Sequence, residues 1–312
     1  MTDAIRTLLV PVDGSRHAAA AARYADGLAR ALGARVVLLH AFPESARALL
    51  ERLGNTAEQA VVARLSTEDF DRMRKDSAAR AYANARSELP QDAVAMDEEL
   101  IDGDPAEAVA AYARSADAPA IVTGWRGLGR VREFLVGSVS EGILQRAECP
   151  VTVVSDDDVV APRTYVVPVD GSEASLAAAA HAGRLARATG MPVHLLHVFP
   201  NTPHEIPGVA GSMAELAGVG PFADESFQEL GRESAERAFA RARKKIGDAG
   251  VEITDVRRGG DAATAITAYS REVAPAEVVM GRRGLSRVER FLVGSVSRRV
   301  VHGAYGPVTV VH

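Results

Sequence analysis

The sequence has little cysteine and few aromatic residues. Of its 312 residues only Cys149 is a cysteine, which excludes an internal disulfide and is typical of a reducing compartment. Aromatic residues make up 5%, too few to favour the stacking platforms that bind single-stranded nucleic acid. Since we also find no hydrophobic core of a secretory leader, we expect a cytoplasmic protein.

The sequence also lacks long apolar runs and an excess of positive charge. No run reaches the roughly 18 apolar residues of a membrane-spanning helix. Lys plus Arg number 36 and Asp plus Glu number 41, a net charge of −5. Because bulk attraction to phosphate backbones or anionic lipid needs the opposite sign, we expect neither a nucleic-acid nor a membrane partner.

What the sequence does contain is a repeat with a constant offset of 157 residues. Residues 10–15 recur as VPVDGS at 167–172, residues 134–140 recur unchanged at 291–297, and residues 150–154 recur at 307–311. A period this long indicates a duplicated domain rather than a solenoid. We predict domains at 1–155 and 163–312, joined by a short acidic linker.

Each half alternates apolar runs with helical patterns, which predicts a parallel α/β sheet. The two copies differ most in the region after their second predicted strand. Residues 44–65 favour a helix, whereas residues 200–223, rich in proline and glycine, favour a loop. In the first half the predicted strands are 7–12, 35–40, 94–100, 120–123 and 151–154, and the predicted helices are 18–32, 67–89, 105–116 and 139–146.

Three repeated elements fall where predicted strands end, the edge at which open parallel sheets bind ligands. They are the Asp-Gly-Ser after the first strand, a Gly-x2-Gly after the fourth, and a Gly-Ser that opens the next helix. Glycine N–H groups and a helix start favour phosphate, and Arg126 and Arg283 add positive charge. Purely structural glycines, and an Asx turn or helix cap at Asp13, are the alternative interpretation.

Histidine and cysteine offer weaker candidates. His194 and His197 lie three apart on a predicted strand and so face opposite ways, which disfavours a metal site. We expect His40 and His197 to cap a strand end instead. Cys149 has no histidine partner nearby in the sequence and is predicted to be a buried structural thiol.

The spacing Gly124-x2-Gly127-x9-Gly137-Ser138, repeated from Gly281 to Ser295 and combined with Asp13 and Asp170, resembles universal stress protein domains of the ATP-binding type. The resemblance covers nearly the whole chain, as two tandem domains. It implies Rossmann-like domains, each a five-stranded parallel sheet of order 3-2-1-4-5 flanked by helices. Trp125 departs from the family pattern, which usually has a small or polar residue there.

The resemblance implies which residues bind ATP. In the first domain these are Pro11, Val12, Asp13, Ala41, Thr123, Gly124, Arg126, Gly127, Gly137, Ser138, Val139 and Ser140. In the second they are Pro168, Val169, Asp170, Val198, Met280, Gly281, Arg283, Gly284, Gly294, Ser295, Val296 and Ser297. The aspartates would hold adenosine, and the glycines, arginines and serines would surround ribose and phosphates.

These features predict a stress-response regulatory protein with two ATP sites and slow or no hydrolysis. Mg²⁺ would be held mainly through the phosphates. An unidentified protein partner and a homodimer are further expectations. The alternatives are a slow ATPase or nucleotidyl-transfer enzyme using the same pockets, which the missing general base disfavours, and a scaffold with vestigial sites, which two intact motifs disfavour.

Overall fold

The computed structural model describes residues 5–53, 65–117, 119–125, 138–154, 161–202, 224–247, 250–282 and 294–312. Two compact units divide the chain, Met1–Val159 and Val160–His312. Each unit contains one parallel sheet with helices packed on it. No helix among these described ranges has both the length and the hydrophobicity needed to cross a bilayer.

In the N-terminal unit the strands lie in the order β3-β2-β1-β4-β5, with parallel pairing throughout the described pairs. Its elements in chain order are β1 (Thr7–Pro11), α1 (Arg16–Leu32), β2 (Arg35–Phe42), α2 (Ala46–Leu53), α3 (Thr67–Ser87), β3 (Met96–Asp102), α4 (Pro105–Ser115), β4 (Pro119–Gly124), α5 (Ser138–Arg146) and β5 (Val151–Val154).

The C-terminal unit repeats this arrangement with the order β8-β7-β6-β9-β10, again with parallel pairing. Its elements are β6 (Thr164–Pro168), α6 (Glu173–Thr189), β7 (Val193–Phe199), α7 (Asp224–Ile246), β8 (Ile253–Gly259), α8 (Ala262–Glu272), β9 (Ala276–Gly281), α9 (Ser295–Gly303) and β10 (Val308–Val311). Both units therefore have the predicted 3-2-1-4-5 order.

The core of each unit follows from local sequence. Leu8, Leu9 and Val10 are fully buried because helices cover both faces of the central strand. The Ala-rich helix α1 begins where the Ser15 side chain accepts a bond from the Ala18 N–H at 3.2 Å. It ends at Gly33, which has the left-handed conformation that glycine adopts at helix ends.

Three of the predicted elements, one strand, one helix and one loop, differ from the structure or lie partly outside the described residues. The strand predicted over 94–100 is Met96–Asp102, shifted by two residues, because an edge strand with only Met96 buried carries little hydrophobic signal. Helix α2 covers part of the helix predicted over 44–65, and residues 54–64 lie outside the described residues. So do residues 203–223, most of the predicted loop.

The strand order changes direction at the first strand of each unit. Strand β1 pairs with β2 on one side and β4 on the other, and β6 pairs likewise with β7 and β9. Chain connections leave these neighbours in opposite directions, so a crevice opens beyond their carboxyl ends.

Candidate functional site

A cleft lies at this crevice in the C-terminal unit, with an empty volume of about 730 Å³ that includes some open solvent. Every described residue that the sequence predicted for this unit's site lines it. These are Pro168, Val169, Asp170, Val198, Met280, Gly281, Gly294, Ser295, Val296 and Ser297. They come from four separate segments of the chain, which only the fold brings together.

Four further residues, which the sequence did not predict, also line the cleft: Ser175, Leu196, Ala262 and Ile266. Leu196 precedes a predicted residue by two positions and so shares its face of β7. Ala262 and Ile266 lie on α8, which begins at the N-cap Asp261. The strand-end rule applied to β8 would have indicated this helix start, because Asp261 follows the strand as a typical cap.

Asp170 follows the first strand of the unit and begins a tight turn. Its Oδ1 accepts a hydrogen bond from the Ser172 N–H at 2.9 Å, and Gly171 has a φ of 81°. Ser172 then caps α6 by accepting from the Ser175 N–H at 3.1 Å. The alternative interpretation, an Asx turn, is confirmed at this aspartate, and the turn fixes where the carboxylate lies.

The same turn occurs in the N-terminal unit. Asp13 Oδ1 accepts from the Ser15 N–H at 2.9 Å, and Gly14 has a φ of 83°. Pro11 and Val12 precede it at the end of β1, and Ala41 lies half-buried near the end of β2. The repeated sequence thus produces the same backbone geometry twice.

A buried histidine holds the carbonyl before each of these turns. His197 Nδ1 donates to the Val169 carbonyl at 2.7 Å, and His40 Nδ1 donates to the Val12 carbonyl at 2.8 Å. Both histidines cap a strand end, as predicted. Ser77 donates to His40 Nε2 at 3.0 Å, whereas His197 Nε2 is buried with no hydrogen-bond partner among the described residues.

Burial lowers the pKa of His197, although the Val169 carbonyl and the Asp170 charge oppose that effect. The neutral imidazole suits this site because Nδ1 donates to the Val169 carbonyl and the buried Nε2 stays unprotonated. A protonated ring would bury an N–H without an acceptor.

The start of helix α9 also lines the cleft. Gly294 caps this helix with no side-chain hydrogen bond, so the first N–H groups are left to face solvent or an anion. Ser295 is exposed, and no hydrogen bond of its hydroxyl is present within the described residues. This part of the cleft combines helix-start N–H groups with a hydroxyl, the donors that phosphate oxygens accept from.

Ser297 has a different role from Ser295. It is buried, and its hydroxyl donates to the Gly281 carbonyl at 2.9 Å and the Arg282 carbonyl at 3.2 Å. In the N-terminal unit Ser140 donates in the same way to the Gly124 carbonyl at 2.8 Å. These two serines tie the helix start to the strand end. The exposed pair at the matching positions is Ser138 and Ser295.

The first glycine of each motif is needed for packing. A Cβ added at Gly281 would lie 2.5 Å from the Ala174 carbonyl, and one at Gly124 would lie 2.2 Å from the His17 carbonyl. The helix after the first strand therefore packs directly on the backbone of the fourth. The structural interpretation of the glycines holds for this position.

The fourth strands differ in the residue before that glycine. Thr123 is buried, and its hydroxyl lies 3.3 Å from the Ser140 hydroxyl, whereas Met280 is a residue that lines the C-terminal cleft. Trp125 follows Gly124 and is half-buried. Val139 is likewise half-buried, in the first turn of α5.

The middle of each motif lies outside the described residues. This applies to Arg126, Gly127 and Gly137 in one unit and to Arg283 and Gly284 in the other.

Other candidate groups do not build a site. No set of three or more His, Cys, Asp or Glu side chains within the described ranges is arranged to bind a metal. His194 bonds the Tyr269 hydroxyl at 2.8 Å, and neither residue is among those that line the cleft. Burial raises the pKa of the Cys149 thiol to about 11, which makes it a poor nucleophile at neutral pH.

Comparisons with known proteins converge on one family. The model of the universal stress protein family matches residues 4–155 and again 162–312. A universal stress protein of Thermus aquaticus is 34% identical over 149 residues, which span 48% of this chain and 98% of that protein. One from Mycobacterium tuberculosis is 34% identical over 200 residues, 63% of this chain and 62% of that protein.

Solved structures share the fold. The crystal structure of a universal stress protein from Archaeoglobus fulgidus superposes with a TM-score of 0.62 at 21% identity. The match covers 98% of this chain and 97% of that one. At this identity the likeness extends to the architecture alone.

Proposed function

Since the chain belongs to the universal stress protein family, a family of the stress response, we propose that it is an ATP-binding regulatory protein with one nucleotide site in each unit. One observation carries the proposal. Predicted site residues from four separate segments of the C-terminal unit line a single cleft at the switch in strand order. Adenine nucleotides suit such a crevice in α/β folds.

The cleft has a suitable group for each part of the ligand. Val169, Val198 and Met280 offer apolar contacts for a base, and the Asp170 carboxylate can accept hydrogen bonds from ribose hydroxyls. The uncapped start of α9 and the Ser295 hydroxyl can donate to phosphate oxygens. Arg283 and the second motif glycine would complete the phosphate end.

The groups that line the cleft also support slow or absent hydrolysis. Among the described residues of this cleft only Asp170 carries a carboxylate, and it lies at the proposed adenosine end. Backbone N–H groups and hydroxyls bind phosphate without activating water. Mg²⁺ would bind through the phosphates and water, as this ion often does.

Regulation would then operate through nucleotide-dependent conformation or partner binding. A homodimer, an unidentified protein partner and a cytoplasmic location are part of the proposal. The duplicated domain gives the protein two sites that can be altered one at a time.

The test is titration of the purified full chain with ATP·Mg²⁺, preceded by native mass spectrometry to detect any co-purified nucleotide. Asp170→Ala should remove one binding event and leave the other, and Asp13→Ala should do the reverse. Each variant is the matched control of the other. Two unchanged binding events in both variants would contradict the assigned sites, and no binding by the wild-type chain would reject the function.

Turnover separates the regulator from an enzyme. We expect phosphate release far below about one per second, the lower end of typical enzyme turnover. Faster turnover that disappears in Gly127→Glu or Gly284→Glu would favour the ATPase interpretation.

A further inference from the structure

The turn that carries each site aspartate is held from a second side by a long helix. In the N-terminal unit Asn84 of α3 donates from Nδ2 to the Gly14 carbonyl at 3.1 Å, across 70 residues of sequence. The contact is tight, because a Cβ built at Gly14 would lie 3.3 Å from the same Nδ2 atom.

The C-terminal unit makes the same bond with a different side chain. Arg241 of α7, the residue that matches Asn84 at the repeat offset, donates from one guanidinium nitrogen to the Gly171 carbonyl at 2.5 Å. Its other terminal nitrogen donates to Glu173 Oε1 at 2.9 Å. Two chemically different residues thus supply a donor to the carbonyl at the matching position of each unit.

This carbonyl shares a peptide group with the N–H that the aspartate accepts from. The Gly14 carbonyl and the Ser15 N–H belong to one planar unit, so a donor on the oxygen fixes the direction of the N–H. That N–H donates to Asp13 Oδ1 at 2.9 Å, and the Ser172 N–H donates to Asp170 Oδ1 at the same distance. The orientation of each carboxylate is therefore coupled to the helix donor through one peptide plane.

The glycine conformation explains why a second anchor matters. Gly14 and Gly171 have positive φ values. Glycine adopts positive and negative φ about equally readily, so the residue alone does not fix the conformation of the turn. A bond to the carbonyl selects one orientation of the peptide. In the C-terminal unit the two residues that Arg241 binds, Gly171 and Glu173, are not among those that line the cleft.

We propose that Asn84 and Arg241 are positioning residues that orient Asp13 and Asp170 for adenosine. The inference rests on the proposed function, because the aspartates gain this role only if the sites bind nucleotide. Glu173 supports Arg241 in the C-terminal unit but is not required for the bond to the carbonyl.

The first test concerns the C-terminal unit, in a Gly137→Glu background that blocks the other site. Arg241→Ala should weaken ATP binding about fivefold, the equivalent of one hydrogen bond. Arg241→Asn restores the donor found in the other unit and should recover wild-type affinity. Glu173→Gln removes only the ion pair and should leave the affinity unchanged.

The second test concerns the N-terminal unit, in a Gly294→Glu background. Asn84→Asp keeps the shape but presents an acceptor to the Gly14 carbonyl, and should weaken ATP binding by at least about fivefold. Melting temperatures of all variants identify any that lose fold rather than orientation.

A nucleotide-independent measurement keeps the two proposals distinguishable. Amide hydrogen exchange of Ser15 and Ser172 should accelerate in Asn84→Asp and Arg241→Ala and return to wild-type rates in Arg241→Asn. If the wild-type chain binds no ATP, the proposed function fails, and positioning of the aspartates is still decided by exchange. Unchanged exchange in both disruptive variants, or no recovery in Arg241→Asn, would overturn the inference.

Discussion

A Cβ at Gly281 would lie 2.5 Å from the carbonyl carbon of Ala174, so the start of helix α6 rests directly on the end of strand β9. The same relationship holds between Gly124 and His17. The first glycine of the repeated motif is thus required by helix–sheet packing as well as lining the cleft, whereas Gly294 lines the cleft at the start of α9.

Gly281→Ala should lower the free energy of unfolding by about 1–3 kcal/mol, because backbone atoms must move to accept the methyl group. Gly27→Ala is the matched control. No atom lies within 4 Å of a Cβ there, so alanine in this exposed helix position should stabilise the protein by about 0.5–1 kcal/mol. Urea unfolding monitored by circular dichroism measures both, and an unchanged midpoint for Gly281→Ala would refute the packing role.

The two serines of α9 should separate binding from stability. Ser295→Ala should weaken ATP binding about threefold to tenfold with little change in unfolding, since its hydroxyl is exposed at the cleft. Ser297→Ala should instead cost about 1–3 kcal/mol of stability, because the buried Gly281 carbonyl loses a donor. Calorimetric titration and urea unfolding of both variants test this, and the reverse pattern would show that the roles are exchanged.

Acid should destabilise the C-terminal unit through two buried histidines, His181 and His197, and the half-buried His312. Burial lowers the pKa of His197, and it lowers those of His312 to about 4 and His181 to about 3. Below about pH 6.5 the unfolded chain therefore binds more protons than the folded one. Stability is fully present above that pH and falls as the pH drops toward the folded-state values.

Urea unfolding between pH 7.5 and pH 5 measures this dependence. His197→Asn keeps a donor for the Val169 carbonyl but cannot titrate, and should flatten part of the slope. His40→Asn makes the same substitution at the matching position of the N-terminal unit and serves as the control. A slope that is unchanged in His197→Asn would mean that His197 takes up no extra proton on unfolding.

Cys149 should react slowly with thiol reagents in the folded protein. Burial raises the pKa of its thiol to about 11, so the thiolate fraction near pH 7.5 is about a hundredfold or more below that of a free cysteine. Disulfide exchange with a chromogenic reagent in buffer and in 8 M urea, taken as roughly the fully denaturing condition, measures the ratio. Equal rates would contradict the burial.

Much of the fold could be predicted from the sequence. The 157-residue repeat and the apolar strands predicted two parallel α/β domains. The family resemblance carried by the glycine motifs and the aspartates implied the strand order and the residues that line the C-terminal cleft. Strand β3 was predicted two residues too early because its exposed residues give little hydrophobic signal. Ala262 and Ile266 were missed because they belong to another strand-to-helix connection.

The sequence by itself determined which elements form and which strand ends carry polar residues, because periodicity, caps and glycine turns act between near neighbours. Only the tertiary structure decided that Gly281 faces Ala174, that the Ser297 hydroxyl donates to the Gly281 carbonyl, and that Asn84 and Arg241 reach the turns. These contacts join residues distant in the chain. Their geometry depends on how helices pack on the sheet, which local patterns do not encode.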